Sequence, residues 1–194
     1  NRIPEGASPD IKNKSWSITA EVEVKGDESG MIVTQGGLFA HFSEIARSVK
    51  GFPIMLYNVP SRTASNTSAE TTLRLAKSHE NIVATKEASG NYSQVMEIIK
   101  NRPKNFRVFS GDDASALPLI ALGADGLVSV CANEIPKETS RMVEKALDGA
   151  HTAARKLHYH LLPLMEANFI ESSPAPCKFV MKEMGLLEEN LRLP

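Results

Sequence analysis

The sequence is poor in the features that mark several large classes of protein. Its two cysteines, Cys131 and Cys177, lie far apart and do not have the spacing of metal ligands. This pattern predicts free buried thiols in a reducing compartment. No apolar run approaches the roughly 18 residues that a membrane span needs, and the polar first residues do not resemble a signal peptide. These absences favour a cytoplasmic protein.

An excess of charge of one sign is also lacking. The chain has 22 Lys and Arg against 23 Asp and Glu, which gives a formal net charge of −1. A nucleic-acid partner or an anionic membrane partner is therefore not expected. Hydrophobic residues make up 42% of the 194 residues, which is enough for one large domain or a medium domain with an appendage. The composition favours a protein that binds a small molecule.

The first 37 residues differ in pattern from the rest of the chain. Apolar and polar residues alternate over 16–24, which is typical of a half-buried strand. Turn residues follow over 25–30, and 31–34 reads as a returning strand. We therefore predict a β-hairpin that needs a partner sheet, because an isolated hairpin is marginally stable.

From Leu38 the hydrophobic period becomes helical, and it stays so to about Lys50. Short apolar runs then alternate with helical patterns, which indicates an α/β fold with a parallel sheet. The predicted strands are 53–60, 82–86, 106–110 and 126–131, and the predicted helices between them are 68–78, 92–101 and 117–122. Beyond Pro136 the chain is predicted to be helical over 137–148, 150–169 and 175–184.

Chemically useful side chains follow the predicted strands. In parallel α/β folds, functional groups gather at the carboxyl ends of the strands. A phenol, a guanidinium and an amine at successive strand ends suit a carbonyl substrate that bears a carboxylate. The candidates are Tyr57 with Asn58 and Arg62, Lys86, Gly111 with Asp112 and Asp113, and the stretch from Val128 to Asn133.

Each of the three reactive side chains also has an ordinary interpretation. Lys86 taken alone is a typical surface cation where a strand meets solvent. Tyr57 is equally a packing residue at a strand end, and the spacing of Arg62 alone favours a cap for the helix region that follows over a ligand role. Their residue types and spacing leave these alternatives open.

Other polar residues favour structural roles. Asp112 and Asp113 are predicted to cap a helix that begins near Ala114, rather than to bind a metal. His158 and His160 are separated by one residue on a helical pattern, so they face different directions and form a poor metal site. Strand alternation places Glu87 on the opposite face from Lys86.

Several coupled motifs, taken together, resemble the dihydrodipicolinate synthase family over about residues 38–194. The tyrosine motif Tyr-Asn-Val-Pro-Ser-Arg-Thr precedes the lysine motif Ala-Thr-Lys-Glu-Ala-Ser-Gly, with 29 positions from Tyr57 to Lys86. Further matching segments are 109–117, 126–133 and 174–178. The resemblance implies a (β/α)8 TIM barrel with a C-terminal helical extension.

The resemblance also implies a chemistry without metal or cofactor. Members of the family condense pyruvate with aspartate semialdehyde through a lysine Schiff base, in lysine biosynthesis. By resemblance, Lys86 is the Schiff-base lysine and Tyr57 relays protons, while Arg62 binds the carboxylate of the aldehyde. Gly111 and Val128 match positions that line the pyruvate pocket. Arg62 favours the synthase over other pyruvate-dependent aldolases of the same superfamily, such as sialic-acid lyases and sugar-acid aldolases.

The length of the matching region points to half a barrel. A (β/α)8 barrel takes ~250 residues, whereas residues 38–194 number about 157. The match begins at the helix before the fifth barrel strand, so strands 5–8 are expected. Residues 1–37 resemble instead the C-terminal β-domain of bacterial arylsulfatases. The predicted organisation is therefore a hairpin segment of different origin (1–37), a half barrel (38–136) and a helical region (137–194).

This organisation predicts an impaired enzyme. The alternative is a non-catalytic remnant that acts as an association module, because four βα units leave two sheet edges unpaired where a barrel would close. Such edges favour a homo-oligomer or pairing with a complementary fragment.

Overall fold

A computed structural model of the chain describes residues 37–192. A first helix, α1 (Gly37–Ser48), leads into four strands that alternate with helices. The strands are β1 (Ile54–Asn58), β2 (Ile82–Glu87), β3 (Arg107–Ser110) and β4 (Gly126–Leu127). The helices between them are α2 (Pro60–Thr63), α3 (Ala69–Ser78), α4 (Tyr92–Asn101) and α5 (Ala116–Ala121).

The four strands form one parallel sheet in the order β1-β2-β3-β4. The predicted α/β class with a parallel sheet is thus confirmed. The half-barrel assignment and the division at residues 136 and 137 stay predictions. The predicted hairpin falls on residues that lie outside the described part of the chain.

Local sequence signals explain where the helices begin. The Ser68 hydroxyl accepts a hydrogen bond from the Thr71 amide (3.2 Å) and caps α3. The Asn91 side chain accepts one from the Gln94 amide (3.1 Å) and caps α4. Each cap satisfies an amide that has no partner inside its own helix. Both helices match the predicted positions.

The main core lies between one face of the sheet and the helices α1, α3, α4 and α5. Its members are apolar side chains that are almost fully buried, each contributing about 1.5–3 kcal/mol when removed from water. They include Leu56, Leu73, Leu75, Val95, Ile98, Val108 and Leu119. This packing fixes the sheet against the helices and leaves the other face available for chemistry.

The C-terminal part is helical, as predicted, with α6 (Pro136–Leu147), α7 (His151–Ala167) and α8 (Ala175–Glu183). A second core joins α6 and α7 to α5 and the end of the sheet and contains Ala116, Cys131, Met142, Leu161 and Met165. Both cysteines are buried and free, as expected. Across residues 37–192, no helix combines the length and apolar character of a membrane span.

Two local predictions were wrong. The fourth strand was expected over 126–131, but β4 covers only Gly126 and Leu127 and a 3-10 turn follows at Cys131–Asn133. The Asp113 carboxylate accepts hydrogen bonds from the amides of Val130 (2.9 Å) and Cys131 (3.4 Å), which draws the chain away from the strand direction. The short helix α2 was not predicted, because it consists of a single turn that begins at Pro60.

Candidate active site at the carboxyl ends of the strands

The register of the sheet places the candidate residues in one row. Tyr57 on β1 is the partner of Lys86 on β2, which in turn is the partner of Phe109 on β3. Neighbouring residues in register project to the same face of a sheet, and the next residue along each strand projects to the other. The row therefore occupies the face opposite the main core.

Lys86 and Tyr57 are in direct contact. The Lys86 Nζ atom lies 4.1 Å from the centroid of the Tyr57 ring. This distance is typical of a cation–π interaction, in which the aromatic face attracts an ammonium group. Tyr57 is 46% exposed and Lys86 is partly buried. An amine and a phenol thus share one accessible position at the end of adjacent strands.

Gly111 makes room for the lysine. A Cβ atom at this position would lie 3.1 Å from both Cγ and Cε of Lys86, and 2.8 Å from the Cβ atom of Ala88. Carbon atoms normally meet at about 3.5–4.0 Å, so a side chain would displace the aliphatic part of Lys86. The Gly111 amide donates to the Glu87 carbonyl oxygen (2.7 Å), which holds the glycine against the end of β2.

Val128 lies at the end of the neighbouring strand pair. Its amide donates to the carbonyl oxygen of Ser110 (2.9 Å), which continues the pairing of β3 and β4 by one residue. The next residue, Ser129, donates its hydroxyl to the carboxylate of Asp113, which is 1% exposed. Asp113 therefore anchors the segment that follows Val128.

The predicted capping of α5 by Asp112 and Asp113 was wrong, because its N-cap is Ser115 and no side chain within residues 37–192 caps the helix. The Asp112 side chain accepts a hydrogen bond from the Ser115 amide (2.8 Å), directly before α5. The Asp113 side chain is directed to residues 129–131 instead. The helix also begins later than expected, at Ala116 rather than near Ala114.

Arg62 lies on α2, two residues beyond the start of that helix and four beyond the end of β1. It is exposed, and no carboxylate within residues 37–192 forms an ion pair with its guanidinium. The capping role considered for Arg62 belongs to Ser68, which caps α3 through its hydroxyl. The guanidinium is thus free to meet a ligand from solvent, as far as the described residues are concerned.

Glu87 lies on the face opposite Lys86, as strand alternation predicted. It is 2% exposed and accepts hydrogen bonds from the side chains of Asn58, Ser89 and Gln94. Burial raises the pKa of its carboxyl group, and these three hydrogen bonds lower the pKa by less. Sequence reasoning missed this cluster, although two amide side chains were a usable signal. Asn58 lies at the end of β1, and Gln94 lies in the first turn of the helix after β2.

The described residues contain no arrangement of three or more His, Cys, Asp or Glu side chains that could hold a metal ion. His158 is buried and His160 is exposed, consistent with their predicted different directions. Burial, followed by the charge of Asp113, raises the pKa of the Cys131 thiol to about 12. This thiol is therefore a packing group rather than a nucleophile.

Comparison with known proteins shows the family of the chain. The family model described as the dihydrodipicolinate synthetase family matches residues 31–194. The chain belongs to that family. The match covers every element described above, from α1 to α8.

Curated relatives named 4-hydroxy-tetrahydrodipicolinate synthase agree with this assignment. The protein from Koribacter versatilis is 54% identical over 161 residues, which are 83% of this chain and 53% of the relative. The protein from Chlorobium phaeobacteroides strain BS1 is 40% identical over 199 residues, covering 99% of this chain and 67% of the relative. The chain spans about half the length of most curated relatives it matches.

A solved structure shares the fold of the dihydrodipicolinate synthetase family with this chain. The dihydrodipicolinate synthase from Acinetobacter baumannii, solved in its chloride-inhibited form with pyruvate, has a TM-score of 0.79 and 40% identity. The comparison covers 83% of this chain and 55% of the other. Neither this structure nor the two relatives above is an arylsulfatase. The Chlorobium alignment extends over nearly all of residues 1–37, so the predicted arylsulfatase resemblance gains no support.

Proposed function

We propose that this chain carries the Schiff-base site of a lyase that condenses pyruvate with aspartate semialdehyde. The observation that carries the proposal is the contact between the Lys86 amine and the Tyr57 ring at the carboxyl ends of adjacent parallel strands. Membership of the dihydrodipicolinate synthetase family supports it. The pyruvate complex of the Acinetobacter baumannii relative supports the choice of first substrate.

Lys86 is the nucleophile in this proposal. Its neutral amine attacks the ketone carbon of pyruvate, a C–N bond forms, and the carbonyl oxygen leaves as water to give an iminium ion. Tyr57 is the proton carrier for these steps, since its hydroxyl belongs to the side chain that contacts the amine. The iminium ion withdraws electrons, which favours loss of a proton from the adjacent methyl group and attack on an aldehyde.

The remaining three residues bind the substrates. Gly111 leaves the space that the Lys86 side chain occupies, and in this proposal pyruvate binds beside it. Val128, which directly follows β4, is the second residue that we assign to the pyruvate site. Arg62 binds the carboxylate of the aldehyde through a bidentate pair, for which a planar guanidinium is suited.

Reductive trapping tests the first step. The chain is incubated with pyruvate and borohydride, and the modified lysine is located by peptide mass spectrometry. We expect one reduced pyruvyl group on Lys86, because borohydride converts the imine into a stable secondary amine. Lys86→Ala and Lys86→Arg should abolish the adduct, whereas Lys100→Ala, which changes an exposed helical lysine, should retain it. An adduct that survives Lys86→Ala would refute the proposal.

A second assay tests the aldehyde. Condensation is measured with aspartate semialdehyde and with an aldehyde of similar length that has no carboxylate. We expect Arg62→Gln to raise the KM for aspartate semialdehyde and to leave pyruvate trapping at Lys86 unchanged. Equal use of both aldehydes by the unmodified chain would contradict the role of Arg62 and favour another aldolase of the superfamily.

Because the chain spans about half of most of its relatives, size-exclusion mass measurement should accompany the assay to detect the proposed self-association.

A further inference from the structure

A cluster of buried polar side chains lies directly behind the Lys86–Tyr57 pair. Asn58 and Glu87 are the last register partners of β1 and β2, and they are 3% and 2% exposed. The Asn58 side-chain amide donates to the Glu87 carboxyl group at 2.5 Å. This bond joins the two strands one residue beyond the reactive pair, at the point where the backbone pairing ends.

The same carboxyl group ties β2 to the element that follows it. Its second oxygen accepts hydrogen bonds from the Ser89 hydroxyl (3.0 Å) and the Gln94 side-chain amide (3.3 Å). Gln94 lies in the first turn of α4, which Asn91 caps. Glu87 therefore fixes the loop after Lys86 as well as the strand that carries it.

The cluster also reaches the segment that follows Arg62. The Asn58 side-chain oxygen accepts a hydrogen bond from the Thr67 amide (2.9 Å), and Asn58 also donates to the Asn66 side chain (2.9 Å). Gln94 donates to the Thr67 carbonyl oxygen (3.2 Å) and accepts from the Asn66 amide (2.9 Å). One connected set of hydrogen bonds thus joins both strand ends to the loop behind α2.

Burial of a carboxyl group at position 87 is energetically unfavourable. Its partners in the described structure are neutral amides and a hydroxyl, and no cation within residues 37–192 pairs with it. Burying such a group without a counter-ion is unfavourable. Its two oxygens nevertheless accept from three donors at once, which an amide or an apolar side chain cannot do.

We propose that Glu87 is a positioning residue for the reaction, which holds Lys86 and Tyr57 in register and anchors the segment that follows Arg62. The inference rests on the proposed function of Lys86. It assigns Glu87 no contact with substrate. Its effect passes through the Asn58 bond to the strand of Tyr57 and through the backbone to Lys86.

An exchange of the two hydrogen-bonding groups tests the proposal. Glu87→Gln keeps the side-chain volume but replaces one acceptor oxygen with an NH2 group. This group is a donor and faces other donors, so one partner of residue 87 loses its hydrogen bond. Adding Asn58→Asp restores a donor–acceptor pair across the same two strands. The two single variants and the double variant form a double-mutant cycle that isolates the interaction. Asp125→Asn is the matched control, because Asp125 holds hydrogen bonds at the opposite ends of the strands.

The readouts are the rate of pyruvate trapping on Lys86 and the KM for aspartate semialdehyde, both at a temperature where circular dichroism finds each variant folded. We expect Glu87→Gln to slow trapping by about tenfold to a hundredfold, since small displacements of reacting groups cost about that much. The exchange variant should recover most of the loss. Asp125→Asn should lower the melting temperature and leave the trapping rate within about twofold, because its contacts are remote from the reacting groups.

Three results would overturn the inference. One is a wild-type trapping rate in folded Glu87→Gln, and another is a loss that the exchange does not recover. The third is an equal loss of trapping rate in Asp125→Asn at equal stability, which would mean that Glu87 affects trapping only by stabilising the fold. Absence of any adduct on the unmodified chain is a distinct result, which would refute the proposed function and the inference with it.

Discussion

The substitution Gly111→Ala gives the sharpest test of the geometry around Lys86. The added methyl group would lie 2.8 Å from the Ala88 Cβ atom and 3.1 Å from two carbon atoms of Lys86. These distances are about 0.7 Å and 0.4 Å shorter than the ~3.5 Å at which carbon atoms normally meet. The side chain that gives way most easily is the flexible lysine, so we expect Lys86 to move away from residue 111 and out of its present position over the Tyr57 ring.

The expected magnitudes follow from this overlap. Crowding of this kind costs about 1–3 kcal/mol of stability, and a displaced nucleophile loses about tenfold to a hundredfold in rate. The assay is borohydride trapping of pyruvate on Lys86, with thermal unfolding followed in parallel. The double variant with Ala88→Gly removes the nearest contact and should recover stability, but it should not restore the rate, because both Lys86 contacts remain.

Gly149→Ala provides a control for stability alone. Gly149 has a positive φ of 77° and nothing within 4 Å of an added Cβ atom. Its substitution should cost roughly 1–2 kcal/mol through backbone strain and should leave trapping unchanged. Trapping at the wild-type rate in Gly111→Ala would refute the argument that the space at this glycine positions the lysine.

Two further predictions concern ionisable groups outside the reactive pair. Cys131, with its pKa raised to about 12, should be a thiolate in only about one molecule in ten thousand at pH 8. Iodoacetamide should therefore label it only after denaturation. Rapid labelling of the folded chain would contradict its burial. Burial alone would raise the pKa of Asp125, but hydrogen bonds from the Val108 amide, Arg102 and Arg107 outweigh it and lower the pKa. The contribution of Asp125 to the free energy of unfolding should therefore be complete at pH values above its ordinary pKa near 3.8. This contribution should be lost as the pH falls below that value, through the lowered pKa of the folded state. The free energy of unfolding should differ between the wild type and Asp125→Asn by about 1–3 kcal/mol at pH 7. Denaturant titrations should show this difference shrinking toward pH 3. A difference that stays constant with pH would show that the charge of Asp125 is not responsible.

Much of the fold was predictable because its signals are local. A capping side chain and a hydrophobic period are enough to locate α4 at Tyr92–Asn101, and a β-branched run ending in Lys86 is enough to locate β2. The family's paired motifs, together with the rule that parallel strands present functional groups at their carboxyl ends, placed Lys86 beside Tyr57.

The features that escaped prediction depend on residues far apart in the chain. The early end of β4 follows from hydrogen bonds between Asp113 and the amides of residues 130 and 131. The cluster around Glu87 joins residues that are up to 29 positions apart. Hydrophobic periodicity carries no information about such partners, because it describes how each segment meets the core and not which polar side chains meet one another.

The register between β1 and β2 also determines which chemical group each face of the sheet presents. Lys86 and Glu87 are consecutive residues, so a shift of β2 by a single residue against its neighbours would exchange their faces. The ammonium would then be buried among helix-facing amides, and the carboxylate would stand beside Tyr57. The pairing of two short strands thus decides whether this edge of the sheet carries a nucleophile or an acid.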